Sequence, residues 1–341
     1  MNRRRFLSAI TAGPAAALLA PSPARTTPKS PEIQTVLGPV PARDLGLTLV
    51  HEHVLVDFVG ATAVSRSRYR TDDVVRAVLP HLQEVKSRGV QTLLECTPAW
   101  LGRDPLLLRR LSEESGVRLV TNTGYYGAAD DKFVPAHAYA ETADELAARW
   151  TAEAREGIEG TGIRPGFLKI GVDRGALSVI DRKLIVAAAR CHRATGLTIA
   201  VHTGDGAAAF DILGTLKAEG VGASAYVWVH AQNEKDRSLH TRAAEAGCFV
   251  EFDGISPEGL DAHVLAVTDL ARRGHLGRLL VSQDAGWYNV GEPGGGRFRG
   301  YTLLLDEFVP ALRRSGITEA QVRTLLVDNP ARAFAPSVRL V

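Results

Sequence analysis

Cysteine, aromatic residues and long apolar runs are scarce in this sequence. Its three cysteines, Cys96, Cys191 and Cys248, are odd in number, widely spaced and free of any C-x-x-C pattern. That excludes a disulfide framework and a zinc knuckle, and leaves buried free thiols as the expectation. Aromatic residues make up 6% of the chain, no basic stripe alternates with them, and the formal net charge is only +2. Nothing here would track a phosphate backbone, so nucleic acid is excluded as a partner. No apolar run reaches the ~20 residues that span a bilayer. What is present, 45% hydrophobic and 23% charged residues over 341 positions, suits a globular chain with a sizeable core. The length alone points to about two domains, although an α/β barrel uses as many residues in one.

The first residues read as an address rather than as structure. Arg3-Arg4-Arg5-Phe6-Leu7 precede a small apolar run over 9–20, broken by Gly13 and Pro14, and then Ser22-Pro23-Ala24 as a small-x-small cleavage site. Paired arginines before Phe-Leu resemble a twin-arginine signal. Residues 1–24 are therefore expected to be a cleaved export signal, the mature protein to be periplasmic or secreted, and no membrane anchor to remain after processing. Residues 25–35, rich in Pro, Thr and Ser, read as a flexible leader, and 36–341 as the folded domain.

From Gly46 onward short apolar, β-branched runs alternate with longer stretches of three- and four-residue periodicity. Eight strands are expected, at 48–56, 92–96, 118–122, 166–171, 198–202, 226–230, 248–252 and 278–282. The helices expected between them fall at 72–88, 105–115, 142–157, 181–195, 207–219, 234–246 and 261–273, most followed by a glycine at the C-cap position. Strands joined by helical crossovers run parallel, and eight of them close into a (β/α)8 TIM barrel, a single α/β domain. An open doubly wound sheet would predict a Gly-rich phosphate turn after the first strand, and none is present; the Gly-rich stretch 291–296 follows the eighth strand and contains Pro293.

Functional groups of a parallel barrel come from the C-terminal strand ends. His51 and His53 lie two apart on the first strand and share a face; His202 ends the fifth, His230 the sixth, and Asp284 follows the eighth. One histidine at a strand end is more often a packing residue than a ligand. Four histidines and a carboxylate converging on one mouth form the donor set of borderline cations such as zinc. His81, His137, His192, His240 and His263 sit in helical or loop patterns and read as ordinary packing or surface residues. Lys169 occupies an otherwise apolar strand and by parity faces the interior, where an unpaired ammonium is costly. It either snorkels to the mouth, pairs with Asp284, or is carboxylated into a metal-bridging carboxylate.

Val50-His51-Glu52-His53, Gly102-Arg103-Asp104-Pro105, Thr123-Gly124-Tyr125-Tyr126, Lys169, His202, His230, Asp284 and Asn329-Pro330-Ala331-Arg332 together resemble the phosphotriesterase family of the amidohydrolase superfamily, over essentially the whole mature chain. The resemblance implies two divalent cations bridged by carboxylated Lys169 and a hydroxide. His51, His53 and Asp284 would serve the more buried one, His202 and His230 the more exposed one. It further implies that the bridging hydroxide attacks the substrate, with Asp284 accepting the proton. A homodimer is open on the same ground.

Two departures bear on substrate. Organophosphate-hydrolysing members pass the proton onward through an acid three positions after the strand-six histidine and a histidine after strand seven; here these positions are Asn233 and Gly254. Lactone-hydrolysing members carry an arginine after strand seven, which Gly254 also fails to match, but share a tyrosine after strand three, matched by Tyr126. Tyr126 either hydrogen-bonds a carbonyl substrate as a catalytic residue or packs in the rim. The expected substrate is a small-molecule carbonyl ester, foremost a lactone, with a phosphotriester as the alternative and a catalytically silent metal-binding barrel as the reading outside enzymes. Arg297 and Arg299 either meet an anionic substrate tail or are solvated loop charges.

Overall fold

The computed structural model describes residues 30–341. The expected signal, residues 1–24, and the first part of the expected leader lie outside the described residues. The last part of that leader is structured: Glu32–Thr35 pairs antiparallel with Gly38–Pro41. Ile33 of this hairpin is fully buried in one cluster with Phe167 and Phe334, so folded structure begins before residue 36.

The sheet is parallel throughout. Its strands are β1 (Thr48–Glu52), β2 (Thr92–Glu95), β3 (Arg118–Val120, resuming at Asn122–Thr123), β4 (Phe167–Val172), β5 (Ile199–Thr203), β6 (Tyr226–Val229), β7 (Phe249–Phe252) and β8 (Leu279–Val281). Each pairs in parallel with its neighbour in chain order. The ends meet: Asp284 N–H donates to His51 O at 3.1 Å and His53 N–H to Ala285 O at 2.8 Å. Sequential parallel order, crossover helices and this first-to-last junction are consistent with a TIM barrel.

The crossover helices start and stop where capping chemistry dictates. α1 is Thr71–Ser87. Asp104 accepts from the amides of Leu106 and Leu107 to open α2 (Pro105–Ser115), and Thr142 with Glu145 forms a capping box on α3 (Ala143–Glu156). Gly116 and Gly196 close α2 and α4 (Val179–Thr195) at φ 69° and 76°, a left-handed turn that costs a residue with Cβ. α5 is Gly206–Ala218. α6 (Arg237–Glu245) begins later than its periodicity suggests, because Asp236 rather than Asn233 supplies the cap. α7 (Leu260–Leu270) runs into a π turn at Ala271–His275. No helix among the described residues is long and apolar enough to cross a membrane.

Two apolar clusters divide the inside of the barrel from its shell. Val50, Leu94, Val120, Phe167, Ala200, Val227, Phe249 and Leu280 belong to the inner one, while Leu49, Leu93, Leu168, Val201, Trp228 and Val250 belong to the outer one. β1 breaks the alternation. Leu49 pairs with Leu93 but Glu52 with Glu95, a bulge that opposes three steps on β1 to two on β2. With Val50 inside, strict alternation would turn Glu52 inward and both histidines outward; the extra residue reverses that. The strand expected to run on to 56 stops at Glu52, and Leu55–Val56 pairs instead with Tyr288–Asn289.

Candidate metal centre

Alternation along β4, β5 and β7 sends Lys169, His202, Glu251 and Asp253 to the same interior as Phe167, Ala200 and Phe249. His230 would by the same rule follow Trp228 into the shell. It does not, because its backbone sits in the left-handed region at φ 62° and turns the chain. Asp284, at φ 49°, and Trp287, at φ 76°, share that conformation. Such residues cost on the order of 1–3 kcal/mol each and persist only where surrounding structure holds them.

All six residues singled out by sequence are gathered at one end of the barrel. His53 Nε2 lies 3.1 Å and His51 Nε2 3.8 Å from Asp284 Oδ1, and His51, His53 and Asp284 place one donor atom each within a span that one cation can bridge. Lys169, 2% exposed, sets Nζ 3.2 Å from His51 Nε2. The rings of His202 and His230 are 4.4 Å apart, and those of His51 and His230 5.0 Å. His202 and Asp284 are the half-exposed members; the other four are buried.

Each imidazole spends Nδ1 on an outer partner. His51 Nδ1 meets Glu251 Oε1 at 2.7 Å, His53 Nδ1 meets Thr97 Oγ1 at 2.8 Å, and His202 Nδ1 meets the Tyr126 hydroxyl at 3.0 Å. His230 Nδ1 makes a short contact with Asp253 Oδ1, while Asp253 Oδ2 accepts from the His230 amide at 3.0 Å. Gln232 holds Asp253 in turn, donating from Nε2 to Oδ1 at 2.8 Å. The Nε2 atoms are thereby turned toward the centre, where those of His51 and His53 meet Lys169 Nζ and Asp284 Oδ1, the arrangement by which outer partners orient metal-binding histidines. Asp284 Oδ1 is buried without a hydrogen bond of good geometry although His53 stands close. A buried carboxylate oxygen in that condition, facing imidazole nitrogens, fits the donor set of a divalent cation.

The electrostatics agree. Burial, then Lys169, lowers His51 to about 3, outweighing Asp253 and Asp284, and burial likewise lowers His53 and His202. These rings are neutral at physiological pH, as a ligand must be. Burial pushes Asp284 up, but its close contact with His53 and its attraction to the other imidazoles around it prevail and hold it below the usual carboxylate range. Glu251 is raised by burial and by Asp253, whereas Asp253 is drawn down against its own burial by His230 and His51.

Glu251 and Asp253 escape a reading that looks for histidines. Their signal is visible afterwards: two acids two residues apart on an apolar strand, on its inward parity. Glu52 is a third hidden acid. It accepts from Ser282 Oγ at 2.8 Å and the Ala285 amide at 2.7 Å, locking β1 to the segment that carries Asp284, and burial raises it to about 8. Tyr126 stands behind His202 with its hydroxyl on Nδ1, so the contact it makes is with a candidate ligand. His192 hydrogen-bonds the Leu197 carbonyl, while His240 and His263 hold the backbone carbonyls of Ala231 and Asp253 from behind the centre, and the three cysteines are buried and free.

Aromatic rings border the mouth in an unbroken arc. Trp287 lies 4.0 Å from the His53 ring, Phe58 stacks on Trp287 at 5.8 Å, Phe133 meets Phe58 at 6.3 Å and Tyr126 at 5.9 Å, and Tyr126 reaches His202 at 5.0 Å. Phe133 is presented by a turn in which Ala129, Asp130 and Asp131 are all left-handed, at φ 65°, 54° and 59°. Asp173 fastens this turn by accepting from the amides of Ala129 and Asp130. A separate cavity of about 610 Å³ lies beside α3, lined by Trp100, Arg103, Trp150 and Glu153, and includes none of the six residues.

The same architecture recurs in known proteins. The model of the Phosphotriesterase family matches residues 31–334. A phosphotriesterase homology protein of Escherichia coli is 30% identical over 293 residues, covering 85% of this chain and 98% of its own. An aryldialkylphosphatase of Saccharolobus solfataricus is 25% identical over 310 residues, covering 87% and 97%. Among solved structures, a variant of a PTE-like lactonase from Deinococcus radiodurans superposes with a TM-score of 0.80 at 31% identity, covering 89% of this chain and 99% of its own. With residues 31–334 matched by the family model and a relative 30% identical over 85% of its length, the chain belongs to the phosphotriesterase family of hydrolases.

Proposed function

We propose that this protein is a binuclear metal-dependent hydrolase of carboxylic esters, foremost lactones, with His51, His53, Lys169, His202, His230 and Asp284 as its metal ligands. The observation that carries the reading is the set of four imidazoles tied at Nδ1 around a buried Asp284 oxygen that lacks a hydrogen bond. Divalent cations held there, zinc by donor type, supply a nucleophile near neutral pH and polarise the substrate's reacting oxygen. Lys169, once its neutral amine adds carbon dioxide and releases a proton, would hold the cations as a carbamate, an anionic donor in place of a costly buried ammonium. Asp284, half-exposed at the mouth, takes the proton from the attacking oxygen and returns it to the departing alkoxide. Tyr126 orients His202. The arc of Trp287, Phe58 and Phe133 binds the apolar part of the substrate and keeps water from it. Asn233 and Gly254 cannot move a proton, which favours a carbonyl centre over a phosphotriester. A PTE-like lactonase and an aryldialkylphosphatase both stand among its relatives, so the choice rests on these two positions.

Metal analysis of protein loaded with zinc should return about two ions per chain. Rates on a γ-lactone, a linear ester and a phosphotriester should fall in that order. A fully folded, metal-free protein that stays inactive after reconstitution would overturn the enzyme reading, and a faster phosphotriester would overturn the substrate class.

A further inference from the structure

Left-handed backbone at residues other than glycine gathers in two places among the described residues. His230, Asp284 and Trp287 belong to the metal centre and its mouth, and Ala129, Asp130 and Asp131 form the turn that presents Phe133. The two that remain, Trp100 at φ 68° and Glu159 at φ 51°, both line the separate cavity of about 610 Å³ beside α3. A bulky side chain in that conformation is held there by its surroundings at a cost, as happens at ligand clamps. The volume suits a small organic molecule.

The walls combine aromatic rings with paired charges. Trp100, Tyr125 and Trp150 line the cavity with His137. Tyr125 meets Trp150 edge to face at 5.2 Å, and His137 meets Tyr125 at 5.5 Å and Trp100 at 5.9 Å. Trp100 is 36% exposed, so part of its ring stays uncovered. Every arginine on the walls is already matched by an acid. Arg66 Nη2 donates to Glu159 Oε2 at 2.8 Å, Arg103 forks onto Glu153 with two hydrogen bonds of 2.8 Å, and Arg149 holds Glu141. Asp57 accepts from Arg68 Nε at 2.6 Å. Burial lowers His137 against the pull of Glu141, which keeps that ring neutral near neutral pH. Glu156, exposed on the same wall, is the charge left over: it makes no hydrogen bond or ion pair among the described residues.

We propose that this cavity binds a small organic cation, a quaternary or protonated amine with an apolar body, the body lying against Trp100 and Tyr125 and the charge meeting Glu156. Aromatic faces attract a cation through their quadrupole, and an unmatched carboxylate decides where the charge sits. An anion would find each guanidinium of the walls spent on an acid. The cavity holds none of the six residues of the metal centre, and the inference is independent of the hydrolase reading.

The test is calorimetric titration of the metal-loaded protein with benzyltrimethylammonium, benzyl alcohol and phenylmethanesulfonate, which share a ring and differ in charge. The cation should saturate a single site and bind more tightly than the other two. Glu156→Gln should raise its Kd about fivefold. Trp100→Gly, which removes the ring and suits left-handed backbone, should raise it about tenfold. A cation that binds no better than the alcohol, or a Kd that either substitution leaves unchanged, overturns the site. Should Trp100→Gly fold poorly, Glu156→Gln at its exposed position decides by itself.

Discussion

The floor of the barrel and its mouth are built from the same strands, two residues apart, and obey opposite rules. On β4 the step is from Phe167 to Lys169, on β5 from Ala200 to His202, on β7 from Phe249 to Glu251 and Asp253, and on β8 from Leu280 to Ser282 and Asp284. The floor is apolar and regular in backbone. At the mouth, buried carboxylates and imidazoles are crowded together, His230 and Asp284 adopt left-handed backbone, and Asp284 keeps an oxygen without a hydrogen bond. The contrast teaches that stability is concentrated in one layer and chemistry in the next, and that the second layer depends on the first to hold it in place.

Substitutions on either side can break this contrast. The largest effect is expected from Lys169→Met, which keeps the volume and removes the bridging group. Activity should fall by at least ~10³-fold and metal content drop below two ions per chain, while the metal-free protein unfolds at the same or higher denaturant concentration, because a buried charge has been replaced by an apolar group. An active variant with unchanged metal content would remove Lys169 from the ligand set. Phe167→Ala is its counterpart in the floor. Denaturant unfolding should show a loss of about 3–5 kcal/mol, with ligand geometry and metal stoichiometry intact wherever the protein is still folded. If instead the floor variant loses metal before it loses stability, the two layers are not separable.

Asp253→Asn tests the support of the mouth. It leaves the shape but weakens the grip on His51 and His230, so metal affinity measured by chelator competition should fall about 10- to 100-fold. The smallest effect belongs to Tyr126→Phe. As a positioning residue on His202 Nδ1 its loss should cost roughly fivefold in kcat and loosen the more exposed cation. A rise confined to KM would instead return Tyr126 to direct substrate binding.

The β/α repeat was legible because helical and strand periodicities differ and because caps such as Asp104, Thr142, Gly116 and Gly196 punctuate them. The positions of all six candidate ligands were legible too, since strand ends are where a parallel barrel carries function. What was hidden depends on partners distant in sequence. Glu251 and Asp253 matter through His51 and His230, 200 and 23 residues away. The aromatic arc joins three loops, and Arg299 finds the carbonyl of Asp284 only once its stretch has folded back on Gly286.

By itself, then, the sequence determined the alternation of elements, the parallel sheet and the residue types at its C-terminal edge, all of which follow from local periodicity and the chirality of crossovers. Orientation was decided only by the tertiary structure. Reading His51 and His53 as inward from strict alternation reaches the right face by a rule that β1 does not obey, since Val50 is already inside and a bulge must reverse the order. His230 is turned inward by left-handed backbone against its own parity. A side chain's direction is set by the backbone dihedrals that neighbouring strands impose, and those become known only when the barrel closes.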